Sequence, residues 1–186
     1  MFSFLKKLFA QRDLIADTVA AELNEEDEKY RSMTAEELCA LEDDELVSAA
    51  WARADAVMSA HEDEKDGLLA LNEHQRVLYV AYVYEMEVNN GGLCQYFANS
   101  SRAGAPYLTD ALEQLKAEKH RALFERFVSE NQIDVNDLSR FAFISVRQFQ
   151  KMEKEYSFDE FDDSFYGLED LGEPMALYVR EYLSFF

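Results

Sequence analysis

One central apolar segment constrains the fold of this chain more than any other feature. Twelve residues, VLYVAYVYEMEV from Val77 to Val88, follow Asn72 and Gln75, whose spacing is that of a helix capping box. The segment lacks the alternation of a half-buried strand, so we expect a helix buried on most sides. The following Asn-Asn-Gly-Gly sequence (89–92) tolerates the left-handed conformation that ends a helix. The rest of the chain must therefore provide apolar faces that surround one long helix.

Helical spacing of apolar residues recurs along the 186 residues, which include only 6 Gly and 2 Pro. We predict a first helix over residues 2–23, a second that begins at a Thr34–Glu37 capping box, and a third from a cap at Asp43 or Asp44 to Met58. The central helix runs from Asn72 to the glycines, and the next two begin at Pro106 and lie around Leu123 to Val128. The last two run from a cap at Asp134 or Asn136 to Met152 and from Pro174 to the end. A polar connection from His61 to Gly67 separates two of them. The expected fold is all-α: a compact single-domain bundle of about seven or eight helices spanning 1–186.

Acidic residues are concentrated in two blocks. Residues 22–66 contain sixteen Asp and Glu against four Lys and Arg, and residues 153–186 contain ten against two. The other two regions are almost neutral, so these blocks account for the net charge of −20. Strong self-repulsion weakens a compact state, which suggests surfaces kept for a basic partner. Nucleic acid and anionic membrane are unfavourable direct partners because their phosphates would repel this chain.

The N-terminal segment, the longest apolar stretch and the cysteines predict a cytoplasmic protein. The N-terminal thirteen residues are interrupted by Lys6 and Lys7 and lack the apolar core of a secretory signal. The most apolar stretch, at twelve residues, is too short to cross a bilayer. Cys39 and Cys94 form no CxxC pair and are expected to be reduced, half-buried thiols. The segment 2–23 could lie on a membrane surface, but packing on the core or on a second subunit fits the acidic residues that follow it better.

Signals for catalysis or metal binding are weak. His61, His74 and His120 show no zinc spacing and are interpreted as surface or cap residues. No calcium loop, phosphate-binding loop, dinucleotide fingerprint or nucleophile elbow is present in the sequence. Cys94 is the only plausible nucleophile, and without an identifiable histidine partner it is interpreted as a small buried hydrophobe. We therefore expect no metal, no cofactor and no enzymatic activity.

Three landmarks together resemble a known family. The stretch EMEVNNGGLCQYFANSS covers 85–101, a Leu-Val-x-x-x-Trp pattern covers 46–51, and Phe-Asp-Asp-x-Phe-Tyr covers 161–166. With these landmarks the chain resembles a bacterial family of all-helical DNA-mimic proteins, whose core would span about 42–186. Leu93 and Cys94 depart from the family pattern without affecting the backbone. The resemblance implies a compact helical fold, possible dimerisation and acidic side chains that occupy the DNA site of a transcription regulator.

The chemistry of the central motif favours a structural role. Two glycines permit a tight turn, amides can satisfy the backbone groups freed at that turn, and aromatic rings can pack beneath it. The residues concerned are Asn90, Gly91, Gly92, Gln95, Tyr96, Phe97 and Asn99. A ligand pocket or enzymatic site around Glu87, Asn90, Gln95 and Asn99 is the alternative interpretation.

Acidic side chains on rigid helices could imitate the phosphates of duplex DNA. DNA carries one negative charge about every 1.7 Å, while a helix rises about 1.5 Å per residue. The candidate phosphate mimics are Glu42, Asp43, Asp44, Glu45, Asp55, Glu62, Asp63, Glu64, Asp159, Glu160, Asp162 and Asp163. We expect the partner to be a basic DNA-binding protein, with a transcription regulator as the leading case. An immunity-type inhibitor of a basic toxin or nuclease would use the same electrostatics, and acidic faces also serve solubility alone.

Overall fold

The computed structural model describes residues 25–142 and 145–186 of the chain. Its helices are α1 (25–32), α2 (Ala35–Cys39), α3 (Asp43–Met58), α4 (Glu64–Ala70), α5 (Glu73–Ala98), α6 (Ala105–Gln114), α7 (Glu118–Glu130), α8 (Val146–Glu155), α9 (Phe158–Phe165) and α10 (Gly172–Glu181), with 3-10 turns at Ser100–Gly104, Ser139–Phe141 and Leu183–Phe185. These residues form no strand, and the predicted all-α class is confirmed. The helix predicted over 2–23 lies outside the described residues.

The central helix α5 organises the molecule, as its apolar sequence requires. It begins with the predicted capping box, in which the Asn72 side chain accepts from the Gln75 N–H and the Gln75 side chain accepts from the Asn72 N–H. Helices α3, α6, α9 and α10 all pack against it. The Thr34–Glu37 capping box of α2 is confirmed in the same way. No helix in these two described ranges is long and apolar enough to span a bilayer.

Aromatic rings fill the space between α5, α7 and α9. Phe97 is fully buried, and its ring centroid lies 5.1 Å from that of Phe141 and 6.2 Å from that of Phe158. Tyr84 meets Phe165 edge-on at 5.7 Å. Full burial of one such side chain contributes roughly 1.5–3 kcal/mol relative to exposure. These rings anchor α9 against α5 on both sides of the double glycine.

Two predicted helix starts are wrong, each for its own reason: the Asp43 side chain bonds Arg180 instead of capping α3, and the Asp134 side chain holds a turn. Helix α3 begins at Asp43 with Glu42 in the cap position, and Glu42 makes no capping hydrogen bond. The helix expected from Asp134 or Asn136 is a pair of turns instead. Asp134 accepts from the Asn136 N–H at 2.9 Å, which holds a turn rather than a helix. Helix α8 starts later, capped by Ser145, whose hydroxyl accepts from the Gln148 N–H.

The polar connection predicted to end at Gly67 is shorter than expected. Asp63 caps α4 by accepting from the Lys65 and Asp66 N–H groups, so Gly67 lies inside a helix rather than in a turn. A Cβ at Gly67 would lie 2.9 Å from the sulfur of Met58. The glycine thus allows α4 to pack closely on the end of α3, a contact that local sequence does not reveal.

Two arginines join segments that are distant in the sequence. Arg53 on α3 donates to the carbonyls of Tyr30, Met33 and Phe186, which joins α1 to the C-terminus. Burial lowers the pKa of this guanidinium. Arg180 on α10 pairs with Asp43 at 2.5 Å and so holds the start of α3. Neither role has a signal in the sequence, because each depends on segments more than a hundred residues apart.

Candidate functional site

The double glycine breaks α5 into two helical parts. Gly92 has a positive φ of 78°, a conformation that side chains disfavour, and Gly91 is also non-helical. A Cβ at Gly91 would overlap the side-chain oxygen of Gln95, and a Cβ at Gly92 would overlap the carboxylate of Asp162. Gly92 therefore requires glycine for its backbone angle, whereas a side chain at Gly91 would displace the Gln95 amide from its present position.

Glu87 is a buried residue at the centre of a partly buried hydrogen-bond network at this break. It is 8% exposed, and its carboxylate accepts from Gln95 Nε2 at 2.9 Å and from Ser101 Oγ at 2.9 Å. Asn99 Nδ2 donates to both carboxylate oxygens, at 3.0 and 2.8 Å. The side-chain amides of Gln95 and Asn99 were predicted to bond backbone groups. That prediction is wrong, because both donate to Glu87. A buried carboxylate gains more from these donors than a neutral acceptor would.

Asp162 and Tyr166 connect the landmark at 161–166 to the landmark at 85–101. The Asp162 carboxylate accepts from the Leu93 N–H at 2.9 Å, the first free donor after the glycine break. The Tyr166 hydroxyl donates to the Val88 carbonyl at 2.9 Å, just before the break. The chain thus secures both sides of the interrupted helix with side chains from α9 and its C-terminus.

Tyr96 and Phe97 lie as predicted, but Asn90 does not, because within the described residues no hydrogen bond joins its side chain to a backbone group. Tyr96 and Phe97 are buried beneath the turn, and Asn90 is exposed. Trp51 of the first landmark stacks on Tyr82 of α5, with ring centroids 5.1 Å apart. The landmarks at 46–51 and 161–166 therefore lie on helices that pack against α5, which contains most of the landmark at 85–101.

A family model described as DMP19-like protein matches residues 69–182, more than half of the sequence. The chain belongs to this family. DMP19-like proteins are DNA mimics, so the resemblance drawn from the three landmarks is confirmed. The match contains the landmarks at 85–101 and 161–166, whereas the Leu-Val-x-x-x-Trp pattern at 46–51 lies before it. Curated proteins and solved structures contain no significant match to this chain.

The first acidic group of this DMP19-like protein surrounds the start of α3. Glu42 and Asp44 are exposed and make no ion pair or hydrogen bond through their carboxylates with a described residue. Asp43 pairs with Arg180, and Glu45 pairs with Lys29 at 3.2 Å. Three acidic residues in the first turn also favour the positive end of the helix. Half of this group is thus committed to local contacts.

The second group lies at the other end of α3, about 24 Å away along a sixteen-residue helix. Asp55 is half-buried, and burial raises the pKa of its carboxyl, with Asp27 and Glu64 adding to the increase. Glu64 accepts from the Ser100 hydroxyl at 2.8 Å, and Asp63 is the α4 cap. Glu62 is exposed. Sequence reasoning missed Asp27, which α1 brings next to Asp55 from 28 positions away.

The third group divides across the two faces of α9. Phe158, Phe161 and Phe165 face the core, and Asp162, one turn after Phe158, lies on that same side. Asp159, Glu160 and Asp163 are exposed on the opposite face. The placement of Asp162 against Leu93 shows a structural contact where sequence analysis proposed a phosphate mimic. The spacing of the phenylalanines was the available signal, because it predicts α9 and its inward face.

The structure thus arranges the twelve predicted acids unequally. Both α3 and α9 pack on α5, so their acidic groups are held on one rigid framework. Six carboxylates are exposed and make no ion pair or hydrogen bond with any residue that the structure describes: Glu42, Asp44, Glu62, Asp159, Glu160 and Asp163. The other six have neighbouring partners or are half-buried.

Two of the three histidines differ from their prediction as surface or cap residues. His120 is buried, its Nε2 lies 2.8 Å from the Glu169 carbonyl, and burial lowers its pKa. His74 stacks on Tyr182 at 4.1 Å. His61 is exposed as predicted. Cys39 is exposed and Cys94 is buried, rather than both half-buried. Within the described ranges, no group of His, Cys, Asp and Glu has the arrangement of a metal site.

Proposed function

We propose that this DMP19-like protein is a DNA mimic that binds the DNA-binding surface of a basic protein, with a transcription regulator as the expected partner. The observation that carries the proposal is family membership over residues 69–182. The exposed, unpaired carboxylates support it, because a partner can neutralise them without breaking contacts inside this chain. We place this activity in the cytoplasm, where such a partner works.

The framework of α3, α5 and α9 suits the imitation of DNA. Rigid helices hold the carboxylates before binding, so association does not have to order a flexible acidic tail. The two acidic ends of α3 are separated by about 24 Å, which corresponds to roughly seven base pairs at 3.4 Å per phosphate on one strand. Complementary charge of this kind mainly accelerates association and selects the partner.

The first experiment is capture of partners from the native cell lysate on the immobilised protein. Bound proteins are eluted with a salt gradient and identified by mass spectrometry, and a parallel wash contains competing duplex DNA. Under the proposal, a DNA-binding protein is released by salt and displaced by DNA. Capture of partners that bind no DNA, or of none at any salt concentration, would contradict it.

A second experiment assigns the surface. The triple variant Asp159→Asn/Glu160→Gln/Asp163→Asn removes three exposed charges from α9. The matched control, Glu73→Gln/Asp110→Asn/Glu125→Gln, removes three exposed charges from the neutral middle of the chain. We expect the first variant to bind the captured partner more slowly at low salt and with a weaker salt dependence than the control. Equal rates for both variants would exclude α9 from the interface.

Glu42→Gln/Asp44→Asn tests the start of α3 in the same assay. These are the two carboxylates of that group without a local partner, so their removal leaves the Asp43–Arg180 ion pair in place. A rate unchanged from wild type would remove this end of α3 from the site. We also propose that this chain forms a homodimer. Light scattering would measure the mass of the free protein and of the complex, and so determine whether a dimer presents two such surfaces.

The identity of the captured protein separates mimicry from the immunity-type alternative. A basic toxin or nuclease would favour inhibition, although the same carboxylates would bind it. The alternative of a ligand pocket around Asn90, Gln95 and Asn99 has less support. Gln95 and Asn99 already donate to Glu87, and Asn90 is exposed.

A further inference from the structure

A cavity of about 610 Å³ lies between the α6–α7 connection and the segment that leads into α10. Its volume is typical of sites for small molecules. None of the twelve acidic residues considered for partner binding lines it. The two edges of the cavity meet at both ends through hydrogen bonds. His120 bonds the Glu169 carbonyl at one end, and the Tyr178 hydroxyl donates to Gln114 Oε1 at 3.1 Å at the other.

The edge formed by the α6–α7 connection is positively charged. Lys116 and Lys119 are exposed there and form no ion pair with a described residue. Glu118 lies on the same edge, and its carboxylate is 3.4 Å from Arg121, which also pairs with Glu113 at 3.1 Å. Two ammonium groups are therefore available to a ligand on this side.

The edge that leads into α10 is negatively charged. Glu169 and Glu173 are exposed and have no ion pair among the residues that the structure describes. Asp170 on this edge accepts from the Gly172 N–H at 3.0 Å and serves the start of the helix. The cavity thus has opposite charges on facing edges, an arrangement that favours a ligand carrying both signs.

Apolar side chains form the surface between these edges. Leu115 and Leu171 are buried in it, whereas Leu177 is 60% exposed at its surface. His120 lies in the wall, and its Nδ1 has no hydrogen-bond partner within the described residues. Because its Nε2–H donates to Glu169, this Nδ1 is an acceptor in the neutral ring. The wall therefore combines an aliphatic surface with an unused acceptor near the acidic edge.

We propose that this cavity binds a short peptide with free termini and an aliphatic side chain. The peptide carboxylate lies towards Lys116 and Lys119, and its ammonium group lies towards Glu169 and Glu173. A sphere of this volume is about 10 Å across, which matches three extended residues at about 3.3–3.6 Å each. The aliphatic side chain covers Leu177. This site is independent of the proposed DNA mimicry.

The test is calorimetric titration of the full-length protein with the tripeptide Ala-Leu-Ala and with its C-terminally amidated and N-terminally acetylated forms. We expect the free peptide to bind and each capped form to bind about fivefold more weakly, the effect of one partly exposed ion pair. The variant Lys116→Asn/Lys119→Ala removes the basic edge. Asparagine suits position 116 because its φ is 59°. This variant should bind the free peptide about as weakly as wild type binds the amidated form, and amidation should then have no further effect.

Lys65→Ala/Lys151→Ala is the control, since it removes two exposed positive charges outside the cavity and should leave binding unchanged. Leu177→Lys, at an exposed position, should abolish binding without unfolding the protein, as judged by circular dichroism. Absence of heat with Ala-Leu-Ala would overturn the proposal. Equal binding by the two double-lysine variants, or an undiminished effect of amidation in the cavity variant, would overturn it as well.

Discussion

Asp162 and Asp163 are neighbours in the sequence, yet they lie in opposite environments. Asp162 is directed to the core side of α9 and accepts from the Leu93 N–H, whereas Asp163 is exposed on the outer face. The same difference separates Glu87, buried among neutral donors, from the exposed Glu160. Chemically similar carboxylates thus have two different roles in this protein. Those inside hold the interrupted helix together, and those outside are available to a partner.

The strongest test of this comparison is Glu87→Ala. Removing the carboxylate takes the acceptor from the partly buried side chains of Gln95 and Ser101 and from the exposed Asn99, and it leaves a space where the buried Glu87 side chain lay. We expect a loss of about 3 kcal/mol in the free energy of unfolding, measured by urea denaturation. Glu160→Ala, an exposed acid, is the control and should change stability by less than about 0.5 kcal/mol. A similar small change for Glu87→Ala would mean that the inner carboxylates are not structural.

Asp162→Ala and Asp163→Ala form the most closely matched pair. The first should cost about 1–2 kcal/mol of stability because the Leu93 N–H loses its acceptor at the start of a helical segment. The second should be nearly neutral for stability. In partner binding the order should reverse, with Asp163→Ala slowing association more. If both substitutions behave alike in the two assays, the inside–outside distinction on α9 fails.

Tyr166→Phe tests the other contact of α9 with the break in α5. It removes the hydroxyl that donates to the Val88 carbonyl, while the ring remains 56% exposed. We expect a loss of about 0.5–1 kcal/mol, the usual net contribution of one such bond. Thermal and urea unfolding together would measure it. Tyr107→Phe, at a partly buried tyrosine elsewhere, provides the comparison.

The smallest effect should be a change in how stability depends on pH at the buried His120. Burial lowers its pKa below the ordinary value of 6.5, so the unfolded chain binds this proton more readily than the folded one. Its neutral form is therefore favourable above about pH 6.5, and that contribution is lost as the pH falls through the folded-state pKa. His120→Gln should make stability less sensitive to acid between pH 7.5 and 5.5. Burial raises the pKa values of Asp55 and Glu85, which act in the opposite direction, so the measurement is the difference between variant and wild type.

Much of the fold was predictable because its signals are local. The capping boxes at Thr34 and Asn72 and the proline near the start of α6 each lie within a single helical turn, and the apolar spacing of α3 and α7 lies within one helix each. The double glycine was correctly predicted to end the first part of α5. The predictions failed where a side chain had a choice of partners. Asp134 holds a turn instead of starting a helix, and Gly67 lies inside α4 because Met58 packs against it.

The sequence by itself determined that this chain is helical, strongly acidic and related to DNA mimics, because composition, helical spacing and the three landmarks are properties of short segments. Tertiary structure decided which carboxylates are available. Asp43 is engaged by Arg180, 137 positions away, and Asp162 reaches Leu93 across 69 positions. Such contacts depend on how helices pack, and packing is set by the whole core rather than by neighbours in sequence. The division of similar acids into structural and exposed groups therefore appears only once the chain is folded.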